Sequence, residues 1–216
     1  MVSVIIGFTG QGKSTLAKRV ADGSTTRVIF DPRGQFNTTS DVLPDADGLY
    51  ALLDDRFEII IQPGRGREVS QVFDDVCREL ANWIEDNPGE SVVLLADEGR
   101  LIGLDSRNVS LNFDWIVRSA REGSTISVVI TCHRPVDVST NIRAISNRLV
   151  FFRVMLPGDL DSIEEQCGPQ VTEEVKKLLD KQFVVWNNSR QCWKKETNPA
   201  TWYVKISEVP TVGYVG

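Results

Sequence analysis

The sequence predicts a three-layer α/β sandwich built on a mostly parallel sheet, closed by a C-terminal β-hairpin. Three observations carry this prediction. Apolar, β-branched runs alternate with helical patterns along the chain. Those runs are continuous, as in strands buried on both faces. The first run also leads directly through a glycine-rich turn into a helical pattern, GFTGQGKSTLAKRVADG.

In order, VSVIIG (2–7) is the first strand, and KSTLAKRVADG (13–23) is a helix ending at Gly23. TRVIFD (26–31) is the second strand; FEIIIQP (57–63) is the third, stopped by Pro63. Residues 67–87 form a long amphipathic helix, with Val69, Val72, Phe73, Val76, Leu80 and Ile84 on one face. SVVLLADE (91–98) is the fourth strand. A helix over 112–122 leads to the fifth, ISVVITC (126–132), and RLVFFRV (148–154) is the sixth. Helical patterns near 159–167 and 171–180 follow. QFVVWNN and TWYVKIS are then expected to pair as a hairpin across SRQCWKKETNPA.

The chain has 216 residues, 41% apolar and 25% charged, which suits one compact domain with a sizeable core. The expected organisation is one domain over 1–216: a motif-bearing core (1–155) and a C-terminal region (156–216). The net charge of −6 argues against indiscriminate coating of nucleic acid. Any basic binding surface must be concentrated by geometry, as in the bore of a ring. Cys77, Cys132, Cys167 and Cys192 are far apart, with no CxxC pair and one histidine in the chain. Reduced, buried thiols are expected rather than a metal site. The chain enters a strand at once, so no signal peptide is expected. No apolar run approaches the roughly 20 residues that span a bilayer.

The turn after the first strand carries the chemistry. Gly7, Gly10, Gly12, Lys13 and Ser14 satisfy G-x-x-x-x-G-K-[ST] in strand–loop–helix context, with Gln11 inside the loop. A random match in such a chain has a probability of about 1%. Glycines let backbone N–H groups turn toward phosphate oxygens, and a helix N-terminus adds partial positive charge. Lys13 is expected on the β- and γ-phosphates of ATP, Ser14 on Mg²⁺, and Thr15 near the α-phosphate.

Asp97 and Glu98 close the fourth strand. Ligands of open α/β sheets bind beyond the carboxyl ends of the strands. Asp97 is therefore expected in the Mg²⁺ shell, and Glu98 as general base for the attacking water. There is no N-K-x-D motif for a guanine base and no L-S-G-G-Q. The adjacent glutamate suggests the class with an additional strand between the phosphate-loop strand and the aspartate strand.

With the phosphate loop, FDPRGQF (30–36), ADEGRLI (96–102) and ITCHRP (130–135) together resemble the HerA/FtsK superfamily of DNA-pumping P-loop ATPases. That family shows a D-P-x-G-E-[YF]-like segment, a D-E pair and T-Q-R-P at corresponding strand ends. Here the glutamate of the first is Gln35 and the glutamine of the last is His133. The resemblance covers roughly 1–155. A minimal chain most resembles the genome-packaging ATPases of tailless, membrane-containing icosahedral viruses. It implies a RecA-like fold and a homo-oligomeric ring, a hexamer, hydrolysing ATP with Mg²⁺ and moving double-stranded DNA. It also implies a host-cytoplasmic protein that joins a virion vertex, with capsid or membrane-associated virion proteins as partners. His133 would then sit where the family senses the γ-phosphate. An arginine from a neighbouring subunit is needed: Arg118 and Arg121 first, Arg143 and Arg148 second.

Arg65 and Arg67, on the loop QPGRGRE, suit phosphate-backbone contact without base reading. Lys176, Lys177, Lys181, Lys194 and Lys195 are competing candidates, and Trp193 beside the last pair could pack instead. The other functions weighed are a secretion or conjugation ATPase of the same superfamily, a monomeric small-molecule kinase and a non-hydrolysing ATP-binding assembly factor. The kinase reading lacks an arginine-rich lid and leaves the TCHRP strand end without a role. The adjacent Asp97–Glu98 pair argues against the assembly factor.

Overall fold

The structure is a computed structural model and describes residues 1–21, 26–36, 40–105 and 109–197. Its elements, in chain order, are β1 (Val2–Ile6), α1 (Lys13–Ala21), β2 (Thr26–Phe30), β3 (Asp41–Leu43), α2 (Leu49–Leu53), β4 (Glu58–Ile61) and α3 (Val69–Asp86). There follow β5 (Val92–Ala96), α4 (Leu111–Arg121), β6 (Ile126–Cys132), α5 (Thr140–Ile145), β7 (Arg148–Phe152), α6 (Pro157–Cys167), α7 (Pro169–Lys176), β8 (Phe183–Asn187) and β9 (Cys192–Glu196).

The strands form one sheet in the order β3-β4-β2-β5-β6-β1-β7-β8-β9. Every pairing from β3 to β7 is parallel, and the last two are antiparallel. The expected additional strand is β6, which lies between β1 and β5. Its register sets Ile6 beside Cys132 and Ala96 beside Ile130, so all three strands end at one edge. The residues that follow β1, β5 and β6 therefore converge there.

Each face of the sheet has its own helices. Leu16, Ala17 and Val20 of α1 pack on Ile5, Leu95 and Val129. Helices α3 and α4 cover the other face, where Phe73 meets Phe30 edge-on at 5.0 Å and Phe113 at 5.1 Å. Truncating such a buried phenylalanine to alanine typically costs about 3–5 kcal/mol, through lost transfer energy and a residual cavity. The predicted stripe of α3 is the buried one, with Val69 only half-buried and Cys77 and Trp83 added to it. Trp83 keeps its indole N–H satisfied by Asp54 at 2.8 Å.

Two expectations need correction. The hairpin partner of β8 is CWKKE, which lies inside the segment expected as the connecting loop. The turn is short because Asn187 pairs with Cys192 and caps Arg190 N–H at 3.0 Å. TWYVKIS and Gly23 fall outside the described residues. The strand β3 and helices α2 and α5 were not expected; each is six residues or fewer, too short for a clear period. The four cysteines are free and buried. Among the described residues no helix is long and apolar enough to cross a membrane.

Candidate active site

The loop between β1 and α1 is held where its glycines are required. Gly7 N–H donates to the Cys132 carbonyl at 3.1 Å, tying the loop to the end of β6. A Cβ on Gly7 would come within 2.5 Å of Phe152 Cβ, so no larger residue fits there. Gly10 and Gly12 adopt φ of 83° and 99°, the left-handed region that side chains disfavour. Lys13 opens α1 with its side chain drawn inward, and Nζ donates to the Phe8 carbonyl at 3.2 Å. Burial lowers its pKa from the ordinary lysine value; Glu98 and Asp97 oppose that shift, and Arg33 adds to it.

The loop forms one wall of a cleft of about 260 Å³. Thr9, Gly10, Gly12, Lys13, Ser14 and Thr15 line that wall. Gln35, Asp97, Glu98 and His133 line the other. Of the expected loop residues, Gly7 and Gln11 stand behind this lining, and the buried Gln11 Oε1 has no hydrogen-bond partner among the described residues.

Asp97 and Glu98 leave the end of β5, and Thr131 of β6 joins them. The Thr131 hydroxyl donates to Asp97 Oδ1 and accepts from the Glu98 N–H at 3.3 Å. Asp97 is 3% exposed, and its Oδ2 accepts no hydrogen bond among the described residues. Burial lifts its carboxyl above the usual aspartate range; the Thr131 hydroxyl opposes this, and the Glu98 and Asp31 charges add to it. An orphaned, buried carboxylate oxygen across from Ser14 is a donor set that suits a hard divalent cation or its bound water. These residues fit Mg²⁺.

Glu98 has φ of 58°, a conformation that a non-glycine residue seldom holds without tertiary support. The support is visible. His133 Nε2 lies 2.8 Å from Glu98 Oε1, and Arg33 Nε lies 3.7 Å from the same oxygen. A carboxylate only accepts, so His133 carries its hydrogen on Nε2 in this pair.

The second-strand motif works through its aspartate. Asp31 is fully buried and accepts from the N–H groups of Gln35 and Phe36 at 3.0 and 2.8 Å. That turn presents Gln35 to the cleft. Next to His133, Arg134 leans away from the cleft and clasps the fully buried carboxylate of Asp159 at the start of α6, with Nε 3.1 Å from both oxygens.

The candidate arginines scatter. Arg118 pairs with Asp114 one turn earlier at 2.6 Å. Arg121 and Arg148 lie together at the opposite edge of the sheet from the cleft. Arg143 is buried, donating to the Val138 carbonyl, Ser162, Gln166 and Thr140. Burial lowers its pKa from the ordinary arginine value.

Among the loop and tail cations, Arg67 pairs with Asp45 at 2.9 Å. Lys176, Lys177, Lys194 and Lys195 pair with Glu173, Glu174, Glu196 and Glu174. Lys181 sits at φ of 62° after α7. Arg65 makes no ion pair among the described residues.

Thr131, Arg33 and Asp159 carried no assigned role in the sequence. One signal was present for Thr131: a hydroxyl near the end of an otherwise apolar strand, two residues before His133.

No protein-family model and no curated protein matches the chain. Solved structures do. The genome packaging NTPase B204 from Sulfolobus turreted icosahedral virus 2, in complex with ATP-gammaS, aligns with a TM-score of 0.76 at 16% identity. That alignment covers 91% of this chain and 96% of that one. B204, the DNA-packaging ATPase from Sulfolobus turreted icosahedral virus, aligns at 0.73 with 17% identity over 91% and 97%. VirB4 of Thermoanaerobacter pseudethanolicus aligns at 0.63 with 10% identity over 89% and 87%. The chain thus has the P-loop NTPase fold of the virus packaging ATPases that its motifs resemble.

Proposed function

We propose that the chain hydrolyses ATP, assembles into a ring and translocates double-stranded DNA, packaging a viral genome into a preformed capsid. The observation that carries this is the trio Asp97, Glu98 and His133 facing the Lys13 loop across one cleft, on strand ends brought together by the intervening β6.

In this reading the loop N–H groups, the α1 N-terminus and Lys13 hold the triphosphate. Ser14 and Asp97 hold Mg²⁺, which supplies positive charge to the phosphates when bound. Glu98 takes a proton from the attacking water, and His133 holds the Glu98 carboxylate in position through its Nε2 hydrogen. The His133 side chain is then one hydrogen bond away from a base whose geometry must change with the γ-phosphate. An arginine of an adjacent subunit completes the charge stabilisation. Arg118 and Arg121 are its candidates; neither lines the cleft of its own chain. Arg65, on the loop after β4, contacts the DNA backbone. The motor works in the host cytoplasm, at a capsid vertex.

The test is ATP hydrolysis by the purified chain, with and without duplex DNA, alongside its oligomeric mass on and off DNA. Duplex-stimulated hydrolysis that Lys13→Ala abolishes is expected. Hydrolysis indifferent to duplex DNA, from a chain that stays monomeric on DNA, would overturn the motor.

A further inference from the structure

A second cavity lies at the opposite edge of the sheet and is not part of the phosphate cleft. It measures about 450 Å³ and opens to solvent between the end of α4, the first residues of β6 and β7, and the β8–β9 turn. Arg121, Arg148 and Arg190 line it, with Ser124, Ser127 and Asn147 between them. Among the described residues that line it there is no carboxylate.

The three arginines come from distant parts of the chain and converge because β6, β1, β7 and β8 are neighbours in the sheet. Arg148, at the start of β7, lines the hollow and is 7% exposed, whereas Arg121 and Arg190 are exposed at its rim. Neither rim guanidinium has an ion-pair partner among the described residues. The crowding of positive charge has electrostatic consequences. Burial and then the Arg190 charge lower the Arg148 pKa from its ordinary value. Burial and then the Arg148 charge lower the Met1 amino group to about 6. Like charges gathered around a hollow raise its energy, and an anion bound in the hollow relieves it.

We propose that this hollow is an oxyanion site for a phosphate group. Each guanidinium offers up to five N–H donors in a planar fork, and the two rim forks, of Arg121 and Arg190, beside the Arg148 charge suit a multiply charged tetrahedral group. A carboxylate, with two oxygens in one plane, engages one fork fully. The Ser124 and Ser127 hydroxyls and the Asn147 amide supply further hydrogen bonds. The volume exceeds that of a bare ion and admits a phosphate ester. Two sources share this chemistry, the backbone phosphate of a nucleic acid and the phosphate of a free nucleotide. The site does not depend on ATP hydrolysis at the other edge.

The test uses the full chain carrying Lys13→Ala, which weakens phosphate binding at the β1–α1 loop. Inorganic pyrophosphate is titrated calorimetrically into this protein and into its Arg190→Ala and Arg190→Lys derivatives. Loss of one charged donor to phosphate weakens binding about 10-fold or more. A weakening of that size in Arg190→Ala, partly restored in Arg190→Lys, supports the site. Equal affinity in all three proteins, or no binding in the parent, overturns it. An unchanged denaturation midpoint verifies that Arg190→Ala is folded; Arg148 is left in place because it is buried. A second arm adds a short DNA duplex. Displacement of pyrophosphate supports the site with a nucleic-acid backbone as its source, and failure to displace supports it with a free nucleotide or phosphate. Neither arm measures turnover, so its outcome is separate from that of the motor reading.

Discussion

The carboxyl edge and the amino edge of the sheet are built from the same strands, β1, β6 and β7, yet they handle charge in opposite ways. At the carboxyl edge the cations around the cleft meet acids. Lys13 stands in the field of Glu98 and Asp97, Arg33 lies 3.7 Å from Glu98, and Arg134 clasps Asp159. At the amino edge Arg121, Arg148 and Arg190 share a hollow with no carboxylate among the described residues that line it. The first arrangement is preorganised: charges are placed and oriented before any ligand arrives, which lowers a barrier without reorganisation at the moment of reaction. The second stores repulsion that a ligand can relieve, which favours binding. One sheet can do both because parallel strands send all their carboxyl ends to one edge and all their amino ends to the other.

The largest effect that could break this comparison is at the preorganised edge. Glu98→Gln keeps the shape of the side chain but cannot take a proton, and turnover is expected to fall about 10²-fold or more while ATP binding persists. Phosphate release and nucleotide titration check both halves. Undiminished turnover would remove Glu98 as the base. Next comes His133→Ala, which frees the Glu98 carboxylate and should slow hydrolysis roughly 10-fold while leaving the KM for ATP within about threefold. Parallel losses of binding and turnover would make His133 a structural residue.

A third measurement contrasts one arginine from each edge. Arg134→Ala strands the buried Asp159 carboxylate, and Tm should drop by on the order of 5 °C. Arg190→Ala, at a rim with no acid partner among the described residues, should move Tm by about 1 °C or less. Matched drops would erase the distinction between paired and gathered charge. The smallest effect lies away from both edges. Burial raises the Cys167 thiol to about 12, against the opposing Arg143 charge. Thiolate therefore appears only as pH climbs through that value. At pH 8.5 the thiolate fraction is on the order of 10³-fold below that of a free cysteine. Alkylation by iodoacetamide in the folded chain should be correspondingly slow, and fast labelling would show that α6 opens.

Much of the carboxyl edge was legible in the residues. G-x-x-x-x-G-K-S sits at a strand-to-helix junction, and Gly10 and Gly12 answer to local backbone demands, whereas Gly7 answers to Phe152 across the sheet. The adjacent Asp97 and Glu98 follow a run of apolar strand residues, so their place at a strand end followed from hydrophobic pattern alone. The intervening strand was implied by the glutamate next to Asp97. Thr131 was not foreseen. Its hydroxyl matters only because the β5–β6 register brings it to Asp97, 34 residues away. The hairpin was misplaced because CWKKE is polar and short, whereas TWYVKIS has the stronger strand composition. Pairing with β8 was decided by a tight turn at Asn187 rather than by apolar content.

The amino edge was almost wholly illegible. Arg121 and Arg148 were noted as separate candidates for one role, and Arg190 was not noted at all. Nothing local marks a solvent-exposed arginine as belonging to a cluster. Sequence by itself therefore determined the α/β class, the phosphate loop and the acidic pair, because each rests on interactions within about ten residues. Tertiary structure alone decided which strand lies beside which, that Thr131 bridges Asp97 and Glu98, that Arg134 is committed to Asp159, and that three arginines face one hollow. Those outcomes depend on strand order, and strand order is set by packing between segments far apart in the chain, which no local periodicity encodes.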